Sequence, residues 1–432
     1  MLAICLILLT LNGNVYAAER ESAFPDVLDL NYVLREVDVS SHHLQLMRQA
    51  ERVSAESIVA ETDADYATAA DINLHARWID ANELSIDPSS EDHKATLNIS
   101  KRLYDFGVSG NLEASNRSLM RVIAIDDDTA ISMHRIEIAR RFFDVLLADL
   151  ASIWADEAMA MEFVTLDKLR DRFELRQIDE IAVLESESRY QAALAERTRA
   201  SLRQRVSRSR LAEILATPDA LPSVLLAPEL PDLLTPAADA VDLIDVALAN
   251  SPELKAREQE VESARQRYEA ESNRWQPSLD AEIELAEYAR DLPNREDWSA
   301  ELRLRIPILE NGMSKAGAAR AWSELQQALA RLEASRAQTR KDVYATWENI
   351  GYLISRSRAH EIALRHAERA LDKSRGEYEL ELRTDFGDSL VRVSRIRYES
   401  ASTQYQLAIE RMKLALMQGE DPLEIVLGES YR

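Results

Sequence analysis

Four short stretches of the chain alternate apolar and polar residues with a period of two. In Ile72–Trp78 the apolar positions are Ile72, Leu74, Ala76 and Trp78, separated by Asn73, His75 and Arg77. In Ala95–Ser100, Ala95, Leu97 and Ile99 alternate with Thr96, Asn98 and Ser100. In Leu279–Leu285, Leu279, Ala281, Ile283 and Leu285 alternate with Asp280, Glu282 and Glu284. In Trp298–Ile306, Trp298, Ala300, Leu302, Leu304 and Ile306 alternate with Ser299, Glu301, Arg303 and Arg305. Side chains on a strand point to opposite faces in turn, so each stretch predicts a strand with one apolar and one polar face. The acidic, Pro-containing segments Asp80–His93 and Ala289–Asp297 join these strands pairwise as surface loops.

A different period follows each strand pair. Ile136, Ala139, Phe143, Leu146, Leu150 and Ile153 step by three and four, as do Leu364, Ala367, Leu371, Ser374 and Tyr378. That spacing marks helices packed lengthwise on helices. From Ser109 to Arg172 there is no Pro and only Gly110, so one helix of about 95 Å is expected at 1.5 Å per residue. Ser314–Glu377 matches it. Each tract is predicted to turn near Leu175 or Leu382 and run back for roughly 35–40 residues. Residues 26–65 also read as helix.

The strands and helices recur together. Leu97–Gly107 lies on Leu302–Gly312 at an offset of 205 residues, and Phe173–Leu175 lies on Tyr378–Leu380 at the same offset. The chain therefore reads as two copies of one unit. Residues 18–217 hold helix, two strands and a long helical hairpin, residues 218–240 are a Pro-rich linker, and residues 241–432 are the second copy. Five of the 12 prolines fall at positions 218, 222, 228, 231 and 236.

Composition sharpens this. Only 10 of 432 residues are Gly, while Ala, Leu, Glu and Arg abound, as in long helices. A net charge of −24 makes nucleic acid a poor partner, since phosphate binding needs a basic face. The apolar run Leu2–Leu11, followed by Val15-Tyr-Ala17, reads as a signal peptide over residues 1–17, although no Lys or Arg precedes the run. The single Cys, Cys5, lies within it, so the mature chain is expected to lack thiol chemistry and a lipid anchor. No later stretch reaches 18 uninterrupted apolar residues, so any membrane span must be made of strands. Four strands cannot close a barrel, and open edges in lipid cost several kcal/mol per unsatisfied group. Edges shared between chains give eight strands from two protomers or twelve from three, and the charged polar faces favour the wetter, larger barrel. A soluble sandwich is the other solution. His42-His43, and His360 with His366, lack metal-site spacing, and no phosphate loop or GxSxG is present. No catalytic residue, cofactor or metal is assigned.

The residues then resemble a known family. Leu248-Ala-Asn-Ser-Pro-Glu-Leu254, Trp275-Gln-Pro-Ser-Leu279, Ile306-Pro-Ile-Leu-Glu-Asn-Gly312, Leu103-Tyr-Asp-Phe-Gly107 and Phe142-Phe-Asp-Val-Leu146 look like successive motifs of TolC-like outer membrane efflux proteins. The resemblance spans nearly the whole mature chain. It implies a mainly α fold with a membrane β-barrel portion. A homotrimer would share a 12-stranded barrel in outer membrane lipid, and long helical hairpins would form an α-barrel across the periplasm. It further implies a passive conduit for drugs, toxins, metals or proteins, working in tripartite efflux or type I secretion with a periplasmic adaptor and an inner membrane pump. A periplasmic coiled-coil adaptor or scaffold is the alternative.

The resemblance also places residues. The periplasmic tips would hold Leu175, Arg176 and Gln177 in one hairpin, and Tyr378, Leu382, Arg383, Thr384, Asp385 and Asp388 in the other. Arg176 and Glu381 occupy the family's Gly positions, which predicts a departure from its usual turn, because Gly readily takes φ > 0. Arg383 facing Asp385 and Asp388 is a candidate inter-protomer contact at a constriction. Asn73, His75, Arg77, Thr96, Asn98, Ser100, Asp280, Glu282, Glu284, Glu301, Arg303 and Arg305 would line the barrel lumen.

Overall fold

The computed structural model describes residues 25, 27–35, 43–80, 86–87, 89–216, 224–290, 292–293, 295–309, 312–379 and 386–428. In chain order the elements are β1 (Val27–Leu28), α1 (Leu30–Arg35), α2 (His43–Tyr66), β2 (Ala69–His75), β3 (Lys94–Tyr104), α3 (Val108–Glu174) and α4 (Glu180–Ile214). There follow β4 (Val224–Leu225), α5 (Ala240–Asn250), α6 (Pro252–Asn273), β5 (Ser278–Tyr288), β6 (Trp298–Arg305), α7 (Met313–Glu379), α8 (Phe386–Met417) and α9 (Glu424–Leu427). The described chain is mainly α. The proposed signal peptide lies outside the described residues.

Both long helices are 67 residues, which at 1.5 Å per residue is about 100 Å each. Their starts follow the same backbone device. Gly107 and Gly312 carry φ of 84° and 85° immediately before or at the first turn, a left-handed conformation that glycine adopts without a Cβ clash. Asp105 then accepts a hydrogen bond from the Ser109 N–H at 2.9 Å, satisfying one of the orphan donors of α3. Asp179 and Asp239 cap α4 and α5 in the same manner, through the N–H groups of Ala182 and Val241. Pro252 opens α6 at a position where no N–H is needed.

The four strands form one antiparallel sheet in the order β2-β3-β5-β6. Each long helix changes neighbours along its length. Near the sheet, α3 packs on α2 and α6, with the Ser115 hydroxyl 2.9 Å from the Ser263 carbonyl, and α7 packs on α6 through Tyr268 and Trp322. Farther away, α3 packs on α4 and α8, and α7 on α8, with Asp149–Arg208, Trp154–Tyr398 and Glu368–Arg397 as contacts. The main core lies between these halves. Phe142, Leu211, Leu215, Met412 and Leu423 are buried there, and Phe143 stacks on Tyr405 at 4.4 Å between ring centres.

Some expectations are corrected. Residues 26–65 are not one helix. Leu28 is fully buried and pairs with Leu225 in a two-stranded parallel ladder, and Asp29 accepts the Tyr32 N–H to start α1. The first strand ends at His75, so Ala76, Arg77 and Trp78 lie beyond it, with Trp78 in a lone bridge to Glu91. The heptad stripe of α3 is buried from Ile136 to Leu146, but Ile153 is 52% exposed. A straight α-helix drifts relative to a 3.5-residue repeat, which carries a late position out of the seam.

Candidate functional site

The sheet sorts side chains cleanly by chemistry. On one face, Ile72, Leu97, Leu285 and Trp298 lie in one row across the four strands, and Ala70, Ile99, Ile283 and Ala300 in the next. Cross-strand pairs of this kind are the unit of sheet stability. They are largely open: Ile72 is 70% exposed and Trp298 is 66% exposed. The contiguous apolar patch is of the kind that marks an interaction with lipid or a partner. No described helix is long and apolar enough to cross a membrane.

The opposite face carries charge. Lys94 Nζ lies 2.9 Å from Glu284, Arg102 Nε 2.9 Å from Asp280, and Arg303 contacts both Glu282 at 3.2 Å and Glu301 at 3.0 Å. The Asn98 amide donates to Asp71 at 3.1 Å. Asn73, His75, Thr96, Ser100, Ser299 and Arg305 share this face by register. All the lumen candidates except Arg77 are therefore brought together. Arg77 instead sits with the connecting loops, where the Asp92 N–H donates to its carbonyl at 2.8 Å. Asp71, Lys94 and Arg102 also belong to the face, just outside the alternating stretches Ile72–Trp78 and Ala95–Ser100. The pattern Lys94, Thr96, Asn98, Ser100, Arg102 would have supplied two of them.

Beyond the sheet the two loops are pinned to each other. Arg295 lies 2.7 Å from the buried Asp92 carboxylate, Arg77 lies 3.7 Å from it, and the buried Arg290 donates to the Asp87 carbonyl. Hydrogen bonding from Arg295, aided by the charges of Arg295, Arg77 and Arg290, holds the Asp92 carboxyl below its ordinary value, against the opposing effect of burial.

At the far end of α3 the chain reverses through a Schellman turn. The Gln177 N–H donates to the Arg172 carbonyl at 2.8 Å, and the Arg176 N–H to the Phe173 carbonyl at 2.8 Å. Arg176 holds φ of 58°, so the Gly-less turn keeps a left-handed conformation after all. Leu175 is 68% exposed at this tip. In the other hairpin Leu382, Arg383, Thr384 and Asp385 lie outside the described residues, as does the Tyr378 side chain. Asp388 is exposed in the first turn of α8, where negative charge suits the helix dipole. The described start of α8 packs on α3 through Gly387 and Met161. Among the described residues, no group of three or more His, Cys, Asp or Glu is arranged to hold a metal ion.

A long helical layer topped by this two-faced sheet matches solved structures over most of its length. It superposes on the outer membrane protein VceC of Vibrio cholerae with a TM-score of 0.69 and 17% identity, covering 90% of this chain and 96% of that one. For the Campylobacter jejuni outer membrane channel CmeC the values are 0.72, 11%, 93% and 90%. For the open Neisseria gonorrhoeae outer membrane channel MtrE they are 0.69, 16%, 91% and 89%. Residues 243–420 match the family model described as outer membrane efflux protein. Over those residues the chain is similar to outer membrane efflux proteins. A comparison with curated proteins finds no match. The efflux-domain match begins at Leu243 in α5 and runs through β5, β6, α7 and α8, so it includes half of the sheet and the second helical hairpin.

Proposed function

We propose that this chain is one subunit of a passive, trimeric export channel in the outer membrane, reaching into the periplasm. The observation that carries the reading is the sheet. Its apolar face is bare, its other face is charged, and its outer strands β2 and β6 have no partners on their far sides among the described residues. Three such sheets joined edge to edge give a 12-stranded barrel with lipid outside and water within. The helices below extend the tunnel, their hairpin tips at Leu175–Gln177 and at Tyr378–Asp388 meeting a periplasmic adaptor that couples to an inner membrane pump. Asn73, His75, Thr96, Asn98, Ser100, Asp280, Glu282, Glu284, Glu301, Arg303 and Arg305 form the lumen face, Thr96 being itself buried, and Arg77 stands at its outer rim. The cargo classes are those of tripartite efflux and type I secretion: drugs, toxins, metals or proteins. The chain needs no catalytic group or cofactor for this role. We read it as two copies of one unit, residues 18–217 and 241–432, joined by 218–240 and preceded by a cleaved signal peptide at 1–17.

Membrane fractionation and planar bilayers test the proposal. The expected result is a heat-modifiable oligomer in the outer membrane fraction that gives stable ion conductance after purification. Recovery as a water-soluble periplasmic monomer without pore activity would sink it.

A further inference from the structure

The polar face of the sheet changes sign along the strands. At the loop end, His75, Lys94 and Tyr288 share a row; in the middle stand Asp71, Glu282, Glu284 and Glu301; at the helical end are Arg102, Arg303 and Arg305, with Asp280 among them. Where the sheet meets the helices, a cleft of about 670 Å³ opens at this arginine-rich end. Arg102, Arg274, Arg305 and Arg320 line it, together with Asp105 and Glu271.

Two of those guanidinium groups are matched locally. Arg102 lies 2.9 Å from Asp280, and Arg274 lies 2.8 Å from Glu271. Asp105 accepts the Ser109 N–H at the start of α3. Arg305 and Arg320 have no carboxylate within ion-pair distance among the described residues. Counting Asp280, four guanidinium groups meet three carboxylates among the described residues, in a chain whose net charge is −24. The local balance runs against the global one. Planar guanidinium groups with free donors suit the paired oxygens of a carboxylate or phosphate, and the cleft falls within the usual roughly 300–1,000 Å³ of small-molecule sites.

We infer that this cleft binds an anionic solute bearing phosphate or carboxylate groups, held chiefly by Arg305 and Arg320. As a station on an export route it rests on the channel reading; as a binding site it does not. The occupant is a soluble anion rather than a lipid headgroup, because Ser278 and Arg305 pair on the polar face, opposite the apolar pair Leu279 and Leu304.

Pyrophosphate is the probe. Calorimetric titration of the detergent-purified full chain at low salt is expected to show one saturable site per chain. Arg305→Gln and Arg320→Gln each weaken it about tenfold or more, as expected for a lost hydrogen bond to a charged group. Lysine at both positions retains part of the affinity. Lys94→Gln, which removes a cation from the opposite end of the same face, leaves it unchanged. Absence of saturable binding overturns the site, and so does equal weakening by Lys94→Gln, which would reduce the effect to the general field of the face. Co-purifying phospholipid that falls in the double variant, with pyrophosphate binding only after delipidation, overturns the soluble occupant. Wild-type protein that binds pyrophosphate but carries no current in bilayers supports the cleft while contradicting the export reading.

Discussion

Arg176 holds a left-handed backbone that costs an L-residue roughly 1 kcal/mol or more. Glycine at this position removes the Cβ clash, so Arg176→Gly is expected to stabilise the α3–α4 tip by about 1 kcal/mol and slow exchange of the Gln177 amide roughly fivefold. Faster exchange would show that the arginine side chain, not the turn, holds the tip. The sequence offered only the statistical preference for Gly here. Two Schellman hydrogen bonds and the Asp179 cap outweigh that preference; an aspartate cap is a readable helix start, whereas Schellman bonds without glycine have no local signature. Asp92 gives a second residue-scale expectation. Its carboxyl is held below the ordinary value near 3.9, chiefly by the Arg295 hydrogen bond. A depressed carboxylate adds stability above its unfolded pKa and loses it as pH falls through the folded value. The loops should therefore stay pinned at pH 5 and release only as pH falls below the ordinary carboxylate range. Protection of the Asp92 amide, corrected for intrinsic exchange, reads this directly, and Asp92→Asn should show no acid transition.

The strands were legible because alternation at period two has one structural reading when it recurs four times, and the register aligns those residues into two chemically distinct faces. The β1–β4 ladder was not legible, since two-residue strands such as Val27–Leu28 are too short to show any period. If the apolar face meets lipid, charge on the two faces has opposite consequences. Ile283→Arg, flanked by Ile99 and Ala300, is expected to cost about 2–4 kcal/mol and deplete the folded oligomer in urea titrations of vesicle-embedded protein. Ser100→Arg, next to Ile99 on the charged face and opposite Glu282, should leave the midpoint nearly unchanged; equal effects would refute the assignment of faces. The helices have a comparable constraint. A Cβ at Gly387 would overlap the far end of the Met161 side chain, so alanine here requires that flexible thioether to take another rotamer. Gly387→Ala should cost the hairpin no more than about 1 kcal/mol, because Met161 can yield, and Met161→Ala in the same chain should remove even that loss. A thermal melt of both variants decides, and a loss well above that from Gly387→Ala would mean that Met161 has no other rotamer to take.

A single chain leaves the number of subunits open, because the strand edges that fix it belong to contacts between chains. The physical bound is nonetheless tight. β2 and β6 are the two outer strands of a four-stranded sheet, three interstrand spacings apart. At about 4.8 Å per spacing that is roughly 14 Å, twice the span a disulfide can bridge. Cysteine at Ala70 on β2 therefore cannot reach cysteine at Ala300, Leu302 or Leu304 on β6 of the same chain, so any bond formed joins two chains. If three sheets close one barrel, oxidation of the pair in the correct register should give monomer, dimer and trimer on denaturing gels, with nothing larger. The trimer should be closed, with no free thiol, and should dominate at completion. Two sheets would stop at a closed dimer and give a barrel too narrow for a wet lumen. An open-ended ladder would mean that the edges pair without closing. A soluble sandwich would leave the thiols free. Scanning the three β6 positions against Ala70 also fixes the stagger between neighbouring chains, on which barrel width depends as well as on strand number.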